Sequence, residues 1–147
     1  MATASMASVA VSQPEEKQYV DVGYQDLERL TAQAKIPIMS GVAGNVLAVL
    51  QERVGSNTLG IKDVAKSMDV SKRTLQRHLK AQMVSYAGLR DRVRFNRAID
   101  CLLIDNMSIE ATSKFLDFSD RTSFTNAFKR WSNLSPSVFR KLYRDFV

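Results

Sequence analysis

The sequence predicts an all-α chain in which two helix-turn-helix units are joined by a long linker helix and preceded by a mostly irregular N-terminal segment. Three observations carry this. The stretch IKDVAKSMDVSKRTLQRHLK at residues 61–80 returns as IEATSKFLDFSDRTSFTNAFK at residues 109–129, and internal repetition of this kind marks repeated supersecondary units. Within each copy the apolar residues recur at intervals of three and four, the period of an amphipathic helix. Between the copies, residues 86–105 contain one early glycine and no proline, enough for a helix of roughly 30 Å.

In the N-terminal part, residues 1–18 are rich in Ala, Ser, Thr and Gln and poor in large apolar groups, which predicts disorder. Residues 1–39 as a whole read as a tail or linker. Within them Tyr24, Leu27 and Leu30 recur every three positions and predict a short helix that Pro37 would end. From Ser40 to Val54 the next helix places Val42, Val46, Val49 and Leu50 near one face with Leu47 and Val54 at its edges, and Gly55, Ser56 and Asn57 terminate it.

Each repeat then reads as two short helices across a tight turn. In the first copy Ile61, Val64, Ala65 and Met68 form one apolar face, Ser71 caps the following helix, and Leu75 and Leu79 give that helix its core stripe. At an offset of 48, Asp69 pairs with Asp117, Ser71 with Ser119, Arg73 with Arg121 and Thr74 with Thr122; one inserted residue then moves the register to 49, where Leu75 pairs with Phe124 and Leu79 with Phe128. Ala65 and Ser113 are small where the helices cross. Asp69 and Asp117 stand at the turns, where a left-handed backbone is often needed.

The linker helix over residues 86–105 offers Leu89, Val93, Ala98, Cys101, Leu102 and Ile104 for burial and carries Arg90, Arg92, Arg94 and Arg97. Its length approaches the roughly 34 Å between successive major-groove faces on one side of a duplex. After the second unit, at about residues 109–130, Ser135 and Pro136 open a last helix whose apolar face is Val138, Phe139, Leu142, Tyr143 and Phe146. Trp131, the only tryptophan, lies between the second unit and this last helix and is expected to pack in the core.

Composition narrows the chemistry. With 147 residues, 45% apolar and 24% charged, the chain matches one ordinary soluble domain or two very small ones. No apolar stretch reaches the roughly 18–20 residues a membrane span needs, and the first residues lack a basic n-region, so a cytoplasmic protein is expected. Cys101 has no partner for an internal disulfide, and no Cys, His or acidic cluster is spaced for a metal. His78 sits among basic residues without a nucleophile or an orienting partner. No catalytic residue, metal or cofactor is expected, and the chain does not read as an enzyme.

Charge is unevenly divided. Residues 1–60 hold four basic and six acidic side chains, a net of −2, whereas residues 61–147 hold seventeen and nine, a net of +8. The positive charge therefore belongs to the repeated region, as in a module that binds a polyanion. The second helix of a helix-turn-helix enters the major groove, with base contacts near its N-terminus. Setting aside the core positions leaves Lys72, Arg73, Gln76, Arg77 and Lys80 outward on the first such helix. Arginine matches guanine and glutamine matches adenine bidentately, so Arg73, Gln76 and Arg77 form a base-reading face. The second helix offers Arg121, Thr122, Thr125 and Asn126, a chemically poorer set. Ser71, Lys72, Lys80, Ser119, Lys129 and Arg130 are assigned to phosphates.

The segments VAKSMDVSKRTLQRHL, RVRFNRA and FSDRTSFTNAFKRWSNLSPSVFRK resemble, in order and spacing, the DNA-binding domain of the AraC/XylS family of bacterial transcription regulators over residues 40–147. The resemblance implies about seven helices, binding of double-stranded DNA through two successive major-groove segments, and base contact by the seven residues named above. The family usually carries Gly where this chain has Asp69, Met83, Asp117 and Asn133, and a basic residue where it has Asn126. Most members also carry an upstream effector-binding or dimerising domain, for which residues 1–39 are too few. The expected function is sequence-specific transcription regulation, as an activator by family resemblance, with RNA polymerase as a protein partner. The alternative is an interaction protein of the same fold, acting through another regulator or the polymerase with weak DNA reading.

Overall fold

The computed structural model describes residues 26–147, and every regular element among them is helical. Helix α1 is described over residues 26–34. It is followed by α2 (Gly41–Arg53), α3 (Ile61–Ser67), α4 (Lys72–Ala81), α5 (Tyr86–Leu103), α6 (Ile109–Phe115), α7 (Arg121–Ser132) and α8 (Pro136–Tyr143), with a 3-10 turn over Arg144–Phe146. Helices α2–α8 are the seven expected of the domain. The disorder expected of residues 1–18, and Tyr24 of the first helix, lie outside the described residues. Leu27 and Leu30, by contrast, are both buried together with Ala34, so α1 is docked on the domain.

Capping residues fix most helix starts. Ser71, Ser85, Ser108 and Ser135 accept hydrogen bonds from backbone N–H groups three residues on, and Pro136 occupies the first turn of α8. Helix α2 is capped differently. Ser40 makes no side-chain cap; instead the Gln82 carboxamide reaches across from the end of α4, its oxygen accepting from Ala43 N–H at 2.8 Å and its nitrogen donating to the Ser40 carbonyl at 2.9 Å.

Three helices end in the same left-handed turn. After α3, Asp69 N–H bonds to the Lys66 carbonyl and Val70 N–H to the Ala65 carbonyl; after α6, Asp117 and Phe118 repeat this with Lys114 and Ser113. After α4, Met83 and Val84 repeat it with Lys80 and Leu79. This is the Schellman arrangement, which usually places glycine at its left-handed position. Here Asp69, Met83 and Asp117 adopt φ of 58°, 61° and 61°.

The two units fill their cores with different side chains. Leu75 and Leu79 of α4 are buried in an aliphatic first core. Their counterparts Phe124 and Phe128 sit in an aromatic second core, where Phe128 meets Phe139 edge to face at 5.1 Å, a geometry worth about 0.5–1.5 kcal/mol beyond area burial. Trp131 packs on Phe95 with ring centroids 5.5 Å apart, as expected of a packing residue. Cys101 is fully buried, and burial pushes its thiol up to about 11.

Several expected faces are corrected. In α2 the buried residues are Ala43, Val46, Leu47 and Leu50, while Val42 and Val49 lie half-buried at the edge. Helix α5 stops at Leu103, leaving Ile104 two-thirds exposed; Leu103 takes the buried place. Val138 and Leu142 of α8 lie exposed, because Phe139 and Tyr143, on the adjacent stripe, fill the space against the core.

Candidate nucleic-acid interface

Helix α4 presents an outward surface without an acidic residue. Lys72, Arg73, Gln76, Arg77 and Lys80 are all exposed, as is His78, while Leu75 and Leu79 hold the helix to the core. The Ser71 hydroxyl accepts from Thr74 N–H at 3.1 Å and donates to Thr74 Oγ1 at 2.9 Å, so its oxygen is committed to the cap.

Helix α7 offers a sparser version. Arg121, Thr122, Asn126, Lys129 and Arg130 are exposed, whereas Thr125 is half-buried. Its N-cap is Asp120, whose carboxylate accepts from Ser123 N–H at 2.7 Å, and that bond holds the carboxyl below the usual carboxylate range. Ser119, expected to correspond to the capping Ser71, instead lies one residue outside the helix, 3.3 Å from the Ser123 hydroxyl. Arg130 turns toward the linker helix and pairs with Asp91 at 3.3 Å.

The position of the cap corrects the register between the repeats. The inserted residue lies in the second turn, before the helix begins, so α4 and α7 match at an offset of 49 along their whole length. Arg121 therefore stands in the place of Lys72, Thr122 in that of Arg73, Thr125 in that of Gln76 and Asn126 in that of Arg77. Every position that carries a long, charged or bidentate group among Arg73, Gln76 and Arg77 carries a short neutral one in α7.

Two residues that hold this surface together escaped the sequence reading. Arg94 is 6% exposed, and its Nε donates to the Leu116 carbonyl at 2.7 Å while its Nη2 donates to the Asp117 carbonyl. These carbonyls end α6, where no intrahelical donor remains. The guanidinium also lies 4.0 Å from the Phe118 ring centroid, and burial lowers its pKa to about 10, so it remains charged at neutral pH. The signal was present: Arg94, Ala98, Cys101 and Leu102 share one helical stripe. The second residue, Gln82, carries no comparable signal, since its partners lie about 40 positions earlier in the chain.

A family model described as a helix-turn-helix domain matches residues 64–142, more than half of the chain. The chain belongs to the AraC/XylS-type helix-turn-helix family. Among the relatives of this AraC/XylS-type domain is the transcriptional regulator VqsM of Pseudomonas aeruginosa, 33% identical over 79 residues, which are 54% of this chain and 24% of that protein. Another is the urease operon transcriptional activator of Escherichia coli, 36% identical over 80 residues, 54% of this chain and 27% of that one. The chain thus spans about a quarter of the length of the curated relatives it matches. The solved transcriptional regulator CdpR from Pseudomonas aeruginosa superposes with a TM-score of 0.63 and 30% identity over 70% of this chain and 32% of that one. The C-terminal domain of AraT, a response regulator from Geobacillus stearothermophilus, shares the fold at a TM-score of 0.62 and 23% identity, over 71% and 88% of the two chains.

Proposed function

We propose that the chain binds double-stranded DNA sequence-specifically and regulates transcription, inserting α4 and α7 into successive major-groove segments. The observation that carries this is the pair of capped helices, matched residue for residue at one offset, each with its polar side facing solvent and its apolar side in a core. Arg73, Gln76 and Arg77 read bases from α4, and Arg121, Thr122, Thr125 and Asn126 contribute from α7. Lys72, Lys80 and Lys129 hold phosphates, with Ser71, Ser119 and Arg130 at the margins of the same surface. At about 27 Å, from 18 residues, α5 is a spacer of the right order between two groove faces. An activating role draws on the urease operon activator among the relatives, with RNA polymerase as the partner such a role requires.

Replacement of Arg77 tests the reading. Duplexes selected by the parent protein from a random pool are expected to bind Arg77→Ala more weakly by roughly 1–3 kcal/mol, with relaxed preference at one position. Equal affinity in an electrophoretic shift removes Arg77 from the reading face. The sparse polar face of α7 favours a second reading, in which the fold acts mainly through another regulator or the polymerase. A salt series decides between them: no specific site and a shallow response support that second role.

A further inference from the structure

We infer that the side chain of Asp117 sets the mutual orientation of α4 and α7, acting as a positioning residue between the two units; the inference rests on the reading that both helices contact DNA. Few polar links join the unit formed by α2–α4 directly to that formed by α6–α8. Gly55 N–H donates to the Phe115 carbonyl at 3.1 Å, and Leu59 N–H donates to Asp117 Oδ2 at 2.7 Å. Both run from the loop between α2 and α3 to the end of α6. The Leu59–Asp117 link is the one made by a side chain.

Each end of that link is itself anchored. Leu59 is fully buried, and its carbonyl accepts from the Tyr86 hydroxyl at 2.7 Å. The Asp117 carbonyl is held by Arg94 from α5. The loop of the first unit, the spacer helix and the turn of the second unit are thereby tied at one point. Helix α7 begins four residues beyond Asp117, so a change at this point is transmitted directly to the direction of the second reader.

Asp69 supplies an internal control. It occupies the same turn position at nearly the same φ, 58° against 61°, and is exposed where Asp117 is half-buried. Both positions favour glycine on backbone grounds. If turn geometry were the whole role of Asp117, glycine would serve there as well as at Asp69. A clamping role makes the opposite prediction for Asp117 alone.

The test uses the full chain in a Cys101→Ala background, with nitroxide labels on Lys66→Cys and Lys141→Cys, exposed positions on α3 and α8 outside the proposed DNA surface. Pulsed electron paramagnetic resonance without DNA is expected to give one narrow distance distribution for the parent, for Asp69→Gly, and for Asp117→Asn, whose amide oxygen still accepts from Leu59. Asp117→Gly is expected to give a broadened or shifted distribution at unchanged helical content. A parent-like distribution for Asp117→Gly, or a broadened one for Asp117→Asn, overturns the inference. Hydrogen exchange in the unsubstituted protein provides a check independent of any variant's folding: Leu59 N–H is expected to exchange as slowly as the core amides of α5, and exchange at the rate of an open loop overturns it. On duplexes selected by the parent, one base pair inserted between half-sites is expected to weaken parent binding about tenfold and Asp117→Gly binding much less. Because the distance and exchange measurements need no DNA, failure to find any specific duplex defeats the DNA-binding reading without deciding the role of Asp117.

Discussion

The Tyr86 hydroxyl, at the start of α5, donates to the Leu59 carbonyl at 2.7 Å in a buried setting. Burial pushes the phenol up from 10.0 to about 12, against the opposing pull of Arg90, Arg53 and Arg94. In the unfolded chain the proton leaves near pH 10, so between about pH 10 and 12 the folded protein binds more protons. Stability from this group is fully present below pH 10 and is lost as pH rises through that window. By pH 11 the loss is about 1 kcal/mol.

Tyr86→Phe is therefore expected to cost about 1–2 kcal/mol at neutral pH, because the Leu59 carbonyl is left without its partner. The same variant loses less further stability than the parent between pH 10 and 11. Urea unfolding of both proteins at the three pH values measures the difference. Cys101 also titrates abnormally in this range but is common to both proteins and does not sense Tyr86, whereas Arg94 is coupled to the Tyr86 phenol, so the measured difference includes that coupling.

Met83 is the opposite kind of residue, one whose side chain makes little use of its position. It adopts φ of 61° in the turn after α4, yet the side chain is 92% exposed. A left-handed backbone costs an ordinary side chain roughly 1–2 kcal/mol, and glycine returns part of that gain through its greater unfolded-state entropy. Met83→Gly is expected to stabilise the protein by about 0.5–1 kcal/mol. The check is a higher urea midpoint with an unchanged slope.

The contrast among these turns shows what the sequence could reveal. Core stripes at Leu75, Leu79, Phe124 and Phe128, caps at Ser71 and Ser135, and left-handed turns at Asp69 and Asp117 all follow from spacing and residue chemistry within a few positions. The pairing of Ser119 with Ser71 is off by one residue because Ser and Asp are both good N-caps, and of the adjacent Ser119 and Asp120 the backbone uses Asp120. Ile104 falls in the apolar run of α5, but periodicity gives no sign that the helix stops one residue before it. What lay out of reach was non-local: the Leu59 and Asp117 contact spans 58 residues, and nothing about either residue alone points to the other. The candidate reading face and its poorer counterpart on α7 were both legible through their outward polar positions, and the cap of α7 added only that Arg121 matches Lys72 and Thr122 matches Arg73.

Gln82 carries a second long-range link whose loss can be measured. Its carboxamide supplies the cap that Ser40 does not, meeting Ala43 N–H and the Ser40 carbonyl. Gln82→Ala removes both bonds but leaves the exposed α2 terminus open to water, so the cost is about 1 kcal/mol, in the range of an ordinary N-cap deletion. The effect is expected to be local. Hydrogen exchange in the first turns of α2 rises, while amides in α7 keep their protection.

Asn126 bears most directly on function, because it stands in the register position of Arg77. Asn126 is exposed, and no acidic side chain lies on α7 to compensate an added charge. If α7 lies in a groove, Asn126→Arg brings one further cation among the phosphates and releases about one more counterion, steepening the slope of log K against log salt by about 1. Binding at low salt is expected to tighten, and the advantage to shrink as salt rises. Fluorescence anisotropy with a labelled duplex over a salt series measures both. An unchanged slope would place this face of α7 away from the duplex and leave α4 as the sole reader. The physical basis is simple: a short neutral amide can rank bases but adds nothing to the counterion term, whereas a guanidinium at the same helical position contributes to both.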